Sequence, residues 1–147
     1  MRRLWLGLSL VAAMAVVPAA QAKPPVFVPL PAQDFTFSGI CAFDVAVHIT
    51  ANGETGIFFS DGTIIVSGPL AATFSANGKS VSLNVSGPTK ISPSGTVIGH
   101  GVGIGPTALP DGSVTLAYTA GVADVTTQPA TLLHGHVLLN LCAALAP

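Results

Sequence analysis

The chain has 147 residues, 50% of them hydrophobic and only 7% charged, with a formal net charge of −1. So few cations leave no surface that could neutralise phosphates, which argues against nucleic acid and anionic membranes as partners. One domain is the expectation for this length.

The first element is an address. Arg2 and Arg3 precede an uncharged apolar run from Leu4 to Val17, Pro18 ends it, and Ala20-Gln21-Ala22 forms a small-x-small cleavage signal. Residues 1–22 therefore read as a signal peptide cleaved after Ala22, and the protein as secreted and extracellular. The run is shorter than the about 20 residues that a membrane span needs, so no stable membrane insertion is expected after cleavage. The remaining chain keeps three lysines (Lys23, Lys79, Lys90), no arginine and six acids, so its surface must be built from Ser, Thr, Asn, Gly and Ala. Cys41 and Cys142 are the only cysteines. In an oxidising compartment they read as a disulfide between the start and end of the folded part; two free core thiols are the alternative.

Residues 23–34 carry Pro24, Pro25, Pro29 and Pro31 and read as an extended, polyproline-like arm with no capacity for ladder hydrogen bonds. A single β domain, residues 35–147, should follow. Phe35–Cys41 is the first strand candidate. Cys41 to Thr50 then alternates, with Cys41, Phe43, Val45, Val47 and Ile49 on one face and His48 on the other. Asn52-Gly53 should turn the chain. Thr55–Ser60 is apolar on both faces, as a covered central strand would be. From Ser60 to Pro88 one unit occurs twice: Asp61-Gly62 or Asn77-Gly78, a strand, then Val-Ser-Gly-Pro. The turn pairs suit two-residue hairpin loops, and each Gly-Pro should stop its strand, giving a meander.

Thr96–Gly105 puts Gly99, Gly101, Gly103 and Gly105 on one face, the signature of a sharp bend or of close backbone approach. Ser113–Thr119 and Val122–Thr126 should flank a turn or bulge at Gly121. Thr131–Cys142 is the last strong strand, with at most a helical turn within Leu138–Leu145. About eight to ten short strands separated by turn signals predict an all-β fold, an antiparallel β-barrel in preference to a β-sandwich.

The stretches Phe35-Thr-Phe-Ser-Gly-Ile-Cys41, Asp61-Gly62 with its Ile-rich strand, Gly78-Lys-Ser-Val-Ser-Leu-Asn-Val-Ser-Gly-Pro88 and Leu141-Cys-Ala-Ala-Leu145 resemble a group of small secreted actinobacterial β-proteins. That group has no assigned activity, so the resemblance implies a fold and an export route and no functional residues. A looser likeness to allene-oxide-cyclase-like and dirigent-like barrels is a fold-level analogy.

Chemistry-bearing residues are scarce. His134-Gly135-His136 sets two imidazoles on one strand face, an arrangement open to a ligand or transition metal, and His100 is the histidine that could join them. A bridge between neighbouring strands at Cys41 and Cys142 would turn His48 the other way. Asp44 and His48 share a face but sit too far apart to pair. No Gly-x-Ser-x-Gly elbow is present, and with Glu54 the only glutamate, paired carboxylates for glycoside cleavage are nearly excluded. No catalytic residue can be assigned and no cofactor is implied. The residues favour a secreted, non-catalytic β-barrel that binds a small apolar ligand or acts at the cell surface. The alternatives are a cyclase or isomerase using Asp44 with His48 or His134 with His136, and a protein-binding or matrix module.

Overall fold

A computed structural model describes residues 23–147; the expected signal peptide lies outside them. The first part of the chain is four passages, each of two consecutive strands: β1 (Val26–Pro29) with β2 (Phe35–Phe37), β3 (Val45–Asn52) with β4 (Thr55–Phe58), β5 (Ile64–Ser67) with β6 (Leu70–Ala76), and β7 (Lys79–Asn84) with β8 (Thr89–Ile91). Three long strands follow, β9 (Val97–Ala108), β10 (Val114–Asp124) and β11 (Ala130–Asn140), then a single helical turn, α1 (Leu141–Ala144). A seven-stranded sheet runs β1-β4-β5-β8-β9-β10-β11, and a four-stranded sheet runs β2-β3-β6-β7. Every early passage therefore leaves one sheet and enters the other, and the two strand orders correspond. The meander read from the sequence is present, with each of its four limbs bent across two sheets.

Pairing is antiparallel throughout, apart from a two-residue parallel contact in which Ala130 and Thr131 of β11 meet Thr107 and Ala108 of β9. The all-β class holds. Neither sheet closes into a barrel by its hydrogen bonds.

The duplicated Val-Ser-Gly-Pro unit does more than stop strands. Both copies are places where the chain changes sheets, from β5 to β6 and from β7 to β8. A Cβ on Gly87 would lie 2.0 Å from the Val102 carbonyl oxygen, and one on Gly68 would lie 2.2 Å from that of Gly53. Backbone rests on backbone at both corners, and only glycine fits. The hydroxyl of Ser86 ties them together: its Oγ accepts from Leu70 N at 2.7 Å and donates to Leu70 O at 3.1 Å.

Several local expectations are corrected. The proline-rich arm does form a ladder, because β1 pairs with β4 from Val26↔Phe58 to Pro29↔Thr55. Asn52-Gly53 makes no hairpin; β3 and β4 lie in different sheets. Asn77-Gly78 is the expected two-residue loop, joining Ala76↔Lys79. The Asp-Gly loops are instead three residues long: Phe59 N donates to Thr63 O and Gly62 N to Phe59 O, and the same pair of bonds recurs around Gly95 and Gly112. That is a type I turn closed by a glycine at positive φ. Gly121 makes no turn, since β10 runs through it, but the register of β10 with β11 shifts close by, between Val122 and Ala123. β4 is not fully covered: Phe58 and the following Phe59 are exposed.

The core lies on the inner face of the four-stranded sheet. Val45, Val47, Ala72 and Phe74 pack with Val85, Leu116, Leu141 and Leu145. The alternation read in β3 decides this, with Val45 and Val47 buried while Ala46 and His48 are exposed. α1 plugs one end. Asn140 caps it by accepting from Ala143 N at 3.1 Å, Cys142 is bridged to Cys41 with Cα atoms 5.3 Å apart, and Asn77 Nδ2 donates to Leu145 O at 2.8 Å. Lys79 Nζ donates to Ala146 O.

The corner contact can be tested directly. Gly87→Ala is expected to cost about 1–3 kcal/mol through overpacking. Gly103→Ala, where a Cβ meets nothing within 4 Å, should leave stability unchanged or raise it by roughly 0.5 kcal/mol. Urea denaturation of both variants measures the difference; equal stabilities would refute the close-packed corner.

Candidate functional site

β9 carries the glycine face, and its glycines divide into two kinds. Gly101 has φ +77° and lies opposite Gly121 (φ +138°), which lies opposite Gly135 (φ +119°). Gly121 and Gly135 approach so closely that a Cβ on either would meet the opposing strand's carbonyl oxygen at 2.0 Å. This row of three glycines is a crease along which β9, β10 and β11 curl.

Gly103 and Gly105 are of the other kind. A Cβ at either would meet nothing within 4 Å, and at Gly99 it would meet only Ala123 O at 3.9 Å. None of these three has a positive φ. They line a half-open cavity of about 370 Å³ between the curled strands and the four-stranded sheet. Apolar walls come from Phe35 and Phe37, whose rings sit edge to face at 5.0 Å, and from Leu70, Val85, Val125 and Leu132. The volume and the apolar lining fall within the range of small-molecule sites.

The polar groups of the lining are few, and some are already used. The hydroxyl of Thr107 donates to Gly105 O at 3.0 Å and that of Thr119 to Gly103 O at 3.5 Å. Glu54 and His100 are the titratable residues of the lining. Burial pushes the Glu54 carboxyl above its ordinary value.

The histidines do not gather. His100, His134 and His136 are all exposed, and of them only His100, on β9, belongs to the cavity lining; His134 and His136 lie on β11 outside it. His100 and His134 share a row across the sheet, both opposite Val122. Among the described residues no group of three or more His, Cys, Asp or Glu is placed to hold a metal ion. Cys142 sits on α1 and not on a strand beside Cys41, so the bridge does not fix which way His48 faces relative to the pair.

His48 has a partner that the sequence reading missed. Its Nδ1 lies 2.6 Å from Asp34 Oδ2, and Ile49 N donates to Asp34 Oδ1 at 2.8 Å. Asp34 precedes β2, whose register with β3 starts at Phe35↔Val47 and so brings Asp34 beside His48. The other shifted aspartates serve their turns. Bonds from Thr63, Ser113 and Thr126 hold the Asp61, Asp111 and Asp124 carboxyls below their ordinary values. Neither Asp44, His48, His134 nor His136 lines the cavity. Glu54 drew attention in the sequence only for being the sole glutamate; the hairpin-like Asn52-Gly53 beside it hid a sheet-changing corner.

No protein-family model matches this chain, and no curated protein or solved structure matches it.

The bond from His48, then that from Ile49 N, holds the Asp34 carboxyl below its ordinary value. A carboxyl lowered in the folded state adds stability that is full above its unfolded value of about 4 and is lost as pH falls through the folded value. Asp34→Asn should therefore lower the Tm at pH 7, with the gap to the parent narrowing as pH drops below about 4. A thermal melt series across pH reads this; a pH-independent gap would show that the carboxylate makes no such bond.

Proposed function

We propose that this is a secreted, non-catalytic binding protein that holds a small apolar molecule in the glycine-faced cavity. The observation that carries the reading is the set Gly99, Gly103 and Gly105, which neither backbone conformation nor close packing requires. A glycine inside a strand costs roughly 0.5–1 kcal/mol relative to alanine. Three such residues along one face are explained by the room they leave. Apolar walls and the scarcity of catalytic side chains in the lining support binding over chemistry. The curl of β9–β11, with Ala130 of β11 reaching Thr107 of β9, supports an open, barrel-like enclosure.

Export is part of the proposal. The signal-like pattern of residues 1–22 supports it, a Cys41–Cys142 bridge is compatible with an extracellular setting, and the resemblance to secreted actinobacterial proteins agrees. Among the described residues no helix is long and apolar enough to cross a membrane.

The neutral fluorophore N-phenylnaphthylamine is a suitable probe. The parent protein is expected to bind it with enhanced emission. Gly103→Leu, which fills the cavity from its floor, should weaken binding at least about tenfold, equivalent to about 1.4 kcal/mol, while the thermal melt is retained. Unchanged binding by a folded Gly103→Leu protein would remove the cavity from consideration.

A further inference from the structure

We infer that the ligand of this cavity is an organic cation, an apolar body carrying an amine head that pairs with Glu54. The inference rests on the cavity being the binding site and names the chemistry it selects.

Among the described residues Glu54 is the only acidic residue of the lining; His100 is the other titratable residue there, and no lysine or arginine joins them. The acids elsewhere are satisfied or solvated. Asp34 is held by His48 and Ile49 N, Asp61, Asp111 and Asp124 by their own turns, and Asp44 is exposed. The side-chain oxygens of Glu54 take part in no hydrogen bond among the described residues, where the one ion pair is His48–Asp34. Its backbone, by contrast, is fixed on both sides. Glu54 N donates to Asn52 Oδ1 at 3.0 Å, Glu54 O accepts from Leu30 N at 3.0 Å, and the adjacent Gly53 N donates to Pro69 O at 2.7 Å. The corner thus holds a carboxylate at the wall of an apolar cavity and leaves it without a partner.

A partly desolvated carboxylate without a partner is unfavourable, and an opposite charge within contact distance relieves it. Burial already disfavours its charged form, which a ligand cation would reverse. An anionic ligand, a fatty acid for example, would set like charges together. The hydroxyls of Thr107 and Thr119 already donate to the glycine carbonyls, so their protons are not free for a ligand head. The apolar walls and the bare floor at Gly103 and Gly105 suit a hydrocarbon or aromatic body.

The test is displacement of N-phenylnaphthylamine at neutral pH and low salt by three compounds sharing one body: phenylpropylamine, phenylpropanol and phenylpropanoate. The amine should reach half-displacement at a concentration at least about tenfold below the alcohol, with the carboxylate weakest. Glu54→Gln should lose the preference for the amine, whose half-displacement concentration rises to that of the alcohol measured on the same variant. Equal potency of amine and alcohol on the parent protein, or an amine preference that survives Glu54→Gln, would overturn the inference while leaving the cavity intact as a binding site. Failure of the parent to bind the fluorophore and all three compounds would overturn the binding reading and this inference with it.

Discussion

Backbone resting on backbone at Gly87 is the contact from which the rest of the architecture follows. A strand can leave one sheet for another only if its corner passes over the neighbouring strand, and here the corner lies against the carbonyls of His100 and Val102 on β9. That contact sets where β9 runs relative to the end of β7, and hence where the glycine face looks. The matching corner at Gly68 lies against Gly53 and Glu54, so the same device that folds the sheet also positions the acid of the cavity. Ser86 links the two corners through both polar groups of Leu70. Structure and candidate site share one cause: two copies of Val-Ser-Gly-Pro.

An open two-sheet fold with little charge faces a risk of edge-to-edge association. Each edge carries a different defence. β1 is bounded by Pro25 and ends in Pro29, β2 has three residues, and β7 opens with Lys79 and alternates serines. β11 has two irregularities, where its register with β10 passes over Leu138 and Leu133. Such bulges twist an edge away from straight pairing. Leu133 and Leu138, both exposed, are the residues passed over, and that explains two apolar side chains on an outer strand without invoking a partner. These features weigh against a self-assembling matrix module and are consistent with a protein that acts by what it encloses.

Much of this was readable from local pattern. Period-two alternation identifies β3, β7 and the buried pair Val45 and Val47; Asn77-Gly78 marks its loop; the two cysteines mark the bridge; and the glycine face of β9 stands out at once. What escaped was decided by distant contacts. β1 pairs because its ladder groups fall between its prolines, a matter of which side of the strand meets β4. Asp-Gly loops of two or three residues share a composition, and the difference lies in which carbonyl closes the turn. The corners look like strand ends because Gly-Pro serves both purposes. The place of Glu54 depends on how the two sheets meet and the Asp34–His48 contact on the register of β2 with β3, which no spacing along the chain encodes. The glycine face itself was legible as a pattern but not as a cavity: the sequence cannot separate Gly101, needed for its positive φ, from Gly103 and Gly105, which open into space.

Native mass spectrometry of the protein recovered from the medium of cells that secrete it addresses the central claim most directly. A cavity built to hold a small molecule should yield the oxidised chain cleaved after Ala22, together with a non-covalent organic adduct that gentle activation removes. The adduct should be absent from Gly103→Leu handled in parallel. A bare chain from both proteins, each at its own sequence mass and still without an adduct after incubation with apolar amines, would contradict the binding reading.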